Sequence, residues 1–390
     1  MSGKKENTEM ISASGFFWAK NKGFQFSDES GLPATPDIVL YFLDKKIAGG
    51  TDIYDVVKQK FPDSIHLGCS TSGPVLADDL YLDAFTGMAI SFEKTKLKTA
   101  ARPCPSQDQS YETGKALVND LLSEGLCHIF VLTDGMTVHG DDFIRGANEA
   151  LPSGATISGG MASDGFEFKE TLVGLNGALK SGQACAIGFY GDALKVGFGA
   201  EGGWDTFGLE RVITKSQGNI LYELDGLPAL ELYKEYLGPE ADKLPGSGLL
   251  FPLAIRKDND SEIIVRTIDI VDETNKAMRF SGNIPQGYTA QFMKGDFDHL
   301  VDGAHAAANM ARKESHVDDA GKSVALIVSC LGRQLLMGQQ ICDELEAVHE
   351  TLGENAVIAG FYSNGEYSKK GFEPCALHNQ TMTLTLLQEK

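Results

Sequence analysis

No stretch of this 390-residue chain reaches the roughly 18 to 20 consecutive apolar residues that a membrane-crossing helix needs. The amino terminus, MSGKKENTEM and then the short apolar run Gly15-Phe16-Phe17-Trp18-Ala19, does not read as a secretory leader. Basic residues are scarce, 34 against 54 acidic ones, and no Lys/Arg-rich stripe offsets the formal charge of -20. Phosphate backbones and anionic lipid surfaces repel such a surface, so neither nucleic-acid binding nor membrane insertion is expected. The seven cysteines, at 69, 104, 127, 185, 330, 342 and 375, are odd in number and form no C-x-x-C pair. That excludes a disulfide framework and fits reduced thiols in a cytoplasmic protein. The eight histidines show neither H-E-x-x-H nor any other paired ligand spacing, so no metal site is expected.

What is present points to a packed α/β protein. The chain exceeds the roughly 250 to 300 residues at which one hydrophobic core stops growing, which favours two domains. Its 42% hydrophobic and 23% charged content suits a folded core. A unit recurs in which a β-branched run ends in a glycine-rich polar turn: IHLGCSTSGPV at 65–75, ATISGGMASDG at 155–165 and AVIAGFYSNGE at 356–366. Between them lie the apolar runs 37–43, 128–132 and 324–329, short and continuous as in strands covered on both faces. Ile341, Leu345, Val348 and Leu352 fall on one face of a helix that stops at Gly353. Another helix starts between Asp225 and Pro228, and an alanine-rich one spans Leu300 to Arg312.

The glycine-rich segment 171–203 reads as antiparallel strands joined by tight turns, and 255–280 as hairpins turning at Asn259-Asp260 and Glu273-Thr274-Asn275. The expected fold is therefore α/β, with mixed sheets layered by helices in two domains. Residues 1–36 form a tail and lead-in, 37–205 an amino-terminal domain and 206–390 a carboxy-terminal one. The glycine-turn unit occurs in both halves, which suggests distant structural repeats.

Two motifs invite chemical readings that their surroundings do not support. Gly197-Phe-Gly-Ala-Glu-Gly202 matches G-x-G-x-x-G, but Gly203-Trp204-Asp205 is a poor start for the helix that a phosphate cradle requires. Gly68-Cys-Ser-Thr-Ser-Gly73 lacks the Gly-Lys-Ser/Thr of a phosphate loop. Its Cys69, like Cys330, is a candidate thiol nucleophile that would need a nearby base or positive dipole to lower its pKa; a structural strand-end cysteine is the simpler reading. The carboxy-terminal loops are richer. Cys330 and Arg333 follow one strand, Tyr362, Asn364 and Glu366 follow another, and His378 and Asn379 precede the last. Ligands of open α/β sheets sit beyond strand ends. Arg333 would hold a carboxylate in its fork, Glu366 an amine, and Tyr362, His378 and Asn379 would add hydrogen bonds and a stacking face. The competing reading is a structural ion pair with capped turns. Cys69, Ser70, Thr71 and Ser72 form a secondary candidate loop.

Eight pieces in order resemble the FIST family, whose name joins F-box and intracellular signal transduction. They are G-C-S-T-S-G at 68–73, S-G-G-M-A-S-D at 158–164, G-W-D-T-F-G at 203–208 and L-Y-E-L-D-G-L-P-A-L-E-L-Y at 221–233. I-P-Q-G at 284–287, S-C-L-G-R at 329–333, G-F-Y-S-N-G-E at 360–366 and L-H-N-Q-T at 377–381 complete the set. The resemblance covers nearly all of 37–390. It implies a FIST N-terminal and a FIST C-terminal domain in a sensory input module, not an enzyme. It further implies a small ligand such as an amino acid, and a histidine kinase of a two-component system or a cyclic-dinucleotide signalling protein as separate partner. Some members bind haem and sense nitric oxide, so haem is the cofactor that the resemblance allows. His299, His305 and Cys104 are its candidate ligands here, by the chemistry of axial ligation.

Overall fold

The computed structural model describes residues 11–48, 53–316, 321–371 and 373–390; the expected tail, 1–10, lies outside them. The first third holds strands β1 (Ile11–Ala19) and β2 (Ile38–Asp44), helix α1 (Ile53–Lys60), and strands β3 (Ile65–Thr71), β4 (Pro74–Leu76) and β5 (Phe85–Phe92). The second holds β6 (Lys96–Pro103), α2 (Ser110–Leu121), β7 (Leu126–Thr133), α3 (Gly140–Ala150), β8 (Thr156–Met161), β9 (Val173–Leu175) and β10 (Gln183–Tyr190).

The third opens with β11 (Leu194–Glu201) and is then interrupted. The insertion contains β12 (Trp204–Gln217), β13 (Ile220–Leu224), α4 (Ala229–Leu237), β14 (Leu253–Arg256), β15 (Ile264–Arg266), β16 (Ile268–Asp272), β17 (Ala277–Phe280) and β18 (Thr289–Gly295). The third resumes with α5 (Phe297–Ser315), β19 (Ser323–Cys330), α6 (Leu331–Met337), α7 (Ile341–Leu352), β20 (Ala356–Ser363), β21 (Gly365–Ser368), β22 (Ala376–His378) and β23 (Met382–Glu389).

One strand order recurs in three sheets: β9-β3-β2-β5-β1, β21-β8-β7-β10-β6 and β4-β20-β19-β23-β11. In each, the central pair is parallel (β2 with β3, β7 with β8, β19 with β20) and the flanking strands are antiparallel. The first strand in every order comes from a different third of the chain. β4 leaves the first third for the third sheet, β21 leaves the third for the second, and β9 leaves the second for the first. The repeating unit is thus a third of the chain, and strand pairing crosses residue 205 repeatedly.

The continuous apolar runs follow from this layering. Ile38, Leu40 and Phe42 face a central core shared with Phe130, Leu132, Val324, Leu326 and Val328 from the other two sheets. The alternate residues of those strands face helices: Val39 and Tyr41 toward α1, Ile129 and Val131 toward α2 and α3, Ala325 and Ile327 toward α5 and α7. Phe42 and Phe361 stack in the centre with ring centroids 4.9 Å apart. Ile11, Ala13 and Phe16 are buried on β1, so part of the expected lead-in belongs to the first sheet. The glycine-rich segment 171–203 does supply strands, but β10 and β11 do not form a hairpin; each turns away to a different sheet. The hairpins expected in 255–280 are present as β14–β15 and β16–β17.

The insertion forms a sheet ordered β15-β14-β18-β12-β13-β17-β16 around its own core, with Tyr233 of α4 fully buried in it. β15 and β16 are separated only by Thr267, so the sheet curls until its two ends meet in one stretch of chain. No described helix is long and apolar enough to cross a membrane.

Gly197 and Gly199 lie on β11 under the alanine-rich face of α5. A Cβ there would stand 2.0 Å from the Ala311 carbonyl oxygen and 1.8 Å from that of Ala307. The G-x-G-x-x-G pattern is therefore a helix–strand packing device. Gly199→Ala should destabilise the fold by about 3 kcal/mol through overpacking. Gly246→Ala, which meets nothing within 4 Å, should cost well under that; equal urea midpoints for the two variants would refute this account.

His128 sits in the shared core, with Nδ1 2.9 Å from Thr156 Oγ1 and Nε2 3.1 Å from Ser158 Oγ. Desolvation pushes its pKa down to about 3, whereas the unfolded ring titrates near 6.5. The unfolded state alone binds that proton between these values, so stability falls as pH drops through the window and is level above it. His128→Gln should remove about one proton's worth of that slope in urea midpoints measured from pH 7 to 4. An unchanged slope would refute the assignment.

Candidate functional site

The three strands β3, β8 and β20 end in related polar runs: Ser70-Thr71-Ser72-Gly73, Ala162-Ser163-Asp164-Gly165 and Tyr362-Ser363-Asn364-Gly365. Strand exchange brings them together. Thr71 Oγ1 and Ser163 Oγ both donate to the Tyr362 carbonyl, at 2.7 and 2.6 Å. Ser70 Oγ donates to the Ser163 carbonyl at 2.9 Å, and the Ser72 amide donates to Ser163 Oγ at 3.0 Å. Ser72 Oγ donates to Gln334 Oε1 at 2.6 Å. The secondary candidate loop and the carboxy-terminal loops thus form one polar region. Cys69 does not join it, since its side chain lies in the apolar core.

Arg333 is fully buried on α6. Its Nε and Nη2 donate to Glu344 Oε2 at 2.9 and 2.6 Å, Nη2 also donates to the Leu300 carbonyl at 2.8 Å, and Nη1 donates to the Gly202 carbonyl. Glu344 Oε1 accepts from the Tyr362 hydroxyl at 2.6 Å and from Ser329 Oγ at 3.2 Å. The carboxylate expected in the Arg333 fork is therefore supplied by the chain itself, and the structural ion pair describes its geometry. A signal for this partner exists in the sequence: Glu344 interrupts the apolar stripe of α7 between Ile341 and Val348.

Glu366 is also fully buried. It accepts from Ser363 Oγ at 2.6 Å and from the Thr381 amide at 3.4 Å, with the Cys330 thiol beside it. Burial raises its carboxyl well above the usual range, against the hydrogen bonds from Ser363 and Thr381 that favour the charged form. Burial likewise raises the thiols of Cys69 and Cys330, the wrong direction for nucleophiles at neutral pH. Cys330 caps α6, its sulfur accepting from the Gly332 amide at 3.4 Å, but burial outweighs that bond. His378 is half-buried, with Nε2 3.0 Å from the Ser368 carbonyl, and desolvation pushes its pKa down to about 4.

The segment 377–380 lies beneath the insertion. Ser281 Oγ donates to Asn379 Oδ1 at 2.8 Å, Gln380 Nε2 donates to the Leu249 carbonyl at 2.9 Å, and Trp204 Nε1 donates to the Gln380 carbonyl at 2.8 Å. Nearby, Arg266 of the insertion pairs with Asp141 of α3 at 2.9 Å. Three polar atoms in this region are buried without a hydrogen-bond partner: Asn364 Oδ1, Asn379 Nδ2 and Gln380 Oε1. Asn379 and Gln380 are almost wholly enclosed. Gln380, held at a φ of 60°, was not among the expected site residues.

Haem would require an axial donor facing an apolar slot. His305 has both ring nitrogens engaged, by Thr351 Oγ1 at 2.7 Å and Asn309 Nδ2 at 2.9 Å. His299 is exposed and held by Asp205, and Cys104 packs against Ser106 and Ser110. None of the three presents its donor to such a slot, so these residues do not fit haem. Among the described residues, no group of three or more His, Cys, Asp or Glu side chains is arranged to hold a metal ion.

Because Arg333 and Glu344 are mutually dependent buried charges, removing one strands the other. Arg333→Met or Glu344→Leu alone should cost about 3 to 5 kcal/mol. The double variant should cost markedly less than the sum, as read from a urea double-mutant cycle; additive losses would refute the coupling.

Comparison with known proteins matches residues 37–227 to the FIST N domain and residues 229–369 to the FIST C domain. A curated relative, uncharacterized protein MJ1623 of Methanocaldococcus jannaschii, is 24% identical over 310 residues. The match takes in 73% of this chain but only 58% of that protein, so the chain spans less than two thirds of its relative. Among solved structures, the cyanuric acid hydrolase from A. caulinodans aligns over 98% of this chain and 100% of its own, at 7% identity and a TM-score of 0.36. Likeness at that level carries no inference about fold or activity. FIST domains are generally implicated in small-molecule sensing and signal transduction and are sensory, not catalytic, modules. With both domain models matched in order along the chain, this protein belongs to the FIST family.

Proposed function

We propose that this protein is a cytoplasmic sensor that binds a small polar ligand, such as an amino acid, in the buried polar region of Asn364, Glu366, His378, Asn379 and Gln380. The observation that carries the reading is the set of unpartnered atoms there. A buried polar atom without a partner costs about 1 to 3 kcal/mol, and native proteins retain few of them. Asn379 Nδ2 is a free donor, whereas Asn364 Oδ1 and Gln380 Oε1 are free acceptors. A zwitterion meets both needs, its carboxylate accepting from the first and its ammonium donating to the others. In this reading Arg333 and Tyr362, held through Glu344, set the position of the strand ends without touching the ligand. Cys330 and the Ser70–Ser72 loop line the floor.

The same segment supports a route outward. Asn379 and Gln380 bond the insertion through Ser281 and Leu249, so a ligand that re-pairs their amides acts directly on how the insertion is seated. Two seatings of differing ligand affinity suffice for a population shift that a separate partner, such as a histidine kinase or a cyclic-dinucleotide signalling protein, reads. A thermal-shift panel of the common amino acids and small acids tests this. At a hundredfold excess over Kd a true ligand should add about 2.7 kcal/mol, seen as a rise of a few degrees. That rise should vanish in Asn379→Ala and shrink in Asn364→Ala. Silence across the panel, or an equal response in both variants, would refute the site.

A further inference from the structure

A second surface, on the insertion and independent of the buried polar region, has the form of a peptide groove. β16 is hydrogen-bonded to β17 along one edge, through the register Ile270↔Arg279, Val271↔Met278 and Asp272↔Ala277. It stands at the end of the strand order, so its other edge pairs with no strand, and Gly248 approaches only its Ile268 end. A cleft runs beside that edge, with Asp269, Ile270 and Val271 on one wall and Lys234, Asp242 and Leu244 of the α4 region on the other. Successive strand residues point to opposite faces. A cleft touching three in a row therefore follows the backbone edge and not one face of the sheet. Ile270, 44% exposed, is a large apolar side chain on an unprotected edge strand, the feature that proteins usually blunt unless it is used.

The charge of the cleft selects its occupant. Lys234 is already neutralised by Glu273, with Nζ to carboxylate distances of 2.6 and 2.7 Å. Asp269 is held by Arg279 at 3.1 Å, but among the described residues Asp242 has no ion-pair partner. The groove therefore keeps an uncompensated carboxylate, and a second copy of a chain carrying -20 would be repelled from it. We propose that an extended, lysine- or arginine-bearing segment of a partner protein docks here, adding itself as a strand to the open edge of β16. Backbone hydrogen bonds would supply affinity, and a cation placed against Asp242 would supply selectivity.

Fluorescence polarisation with the full chain and a labelled, acetylated heptapeptide of alternating valine and lysine tests the proposal. Two further peptides carry N-methyl groups on one or the other set of alternate backbone amides. Binding should weaken at least tenfold for one methylated peptide and less for the other, because only one set of amides faces the strand. It should also weaken at least tenfold in the Asp242→Lys/Glu273→Lys variant. Hydrogen exchange should slow at the backbone amides of 269–272 when the peptide is present. No binding up to millimolar peptide, equal affinity for all three peptides, or protection only elsewhere would overturn it. A dimer in sedimentation that Ile270→Lys dissociates would also overturn it, by giving the edge to a second copy.

Discussion

Were each third of the chain to fold alone, β3, β8 and β20 would each carry an open edge at the centre of the molecule. β9, β21 and β4 close those edges, each supplied by another third. An unpaired row of backbone groups in an apolar interior is costly, so no third completes its own sheet, and all three sheets close only when all three thirds have assembled. The common core between the three inner faces imposes the same demand, since it draws on every sheet at once. The exchange also decides where the polar strand ends lie. Because β4 and β21 leave directly after their polar turns, and β9 seven residues after its own, the turns are carried to one place and hydrogen-bond to one another.

That place is polar in an otherwise apolar interior, and its parts differ in how well they are satisfied. The Arg333–Glu344 pair, with Tyr362, Ser329 and two backbone carbonyls around it, is closely bonded. Such a pair adds little net stability, because desolvation offsets its attraction, but it fixes geometry. Here it ties the end of β19 to Gly202, where the insertion begins, and to Leu300 of α5. The neighbouring amides of Asn364, Asn379 and Gln380 are left short of partners. A rigid, satisfied frame beside an unsatisfied cluster is an arrangement suited to recognising a small polar molecule.

The insertion has its own core and is joined to the body by polar contacts that include the Arg266–Asp141 pair and the bonds to Asn379 and Gln380. Its curled sheet leaves one edge of β16 open toward α4. A sensory module needs one surface for the ligand and another for the protein that receives its signal. The proposed ligand region lies where body and insertion meet, and the proposed peptide groove lies on the insertion itself.

The amino-acid sequence by itself determined the local elements. Apolar runs such as Ile38–Leu43 marked strands covered on both faces, the 341–352 periodicity marked a helix, and the 255–280 turns marked hairpins. These are set by side-chain pattern and turn chemistry within a few residues, so they are legible without a fold. It also marked the polar turns at the ends of β3, β8 and β20, because small hydroxyls, amides and glycines cluster after each apolar run. Only the tertiary structure decided which sheet each strand joins, that β10 and β11 part company, and that the repeating unit is a third of the chain. Backbone pairing carries little residue identity, so partner choice depends on the whole assembly. The same reason turned Arg333 from an expected ligand fork into the partner of Glu344. A residue's chemistry can be read from its type, but whether its bonds are already used depends on what the fold places beside it.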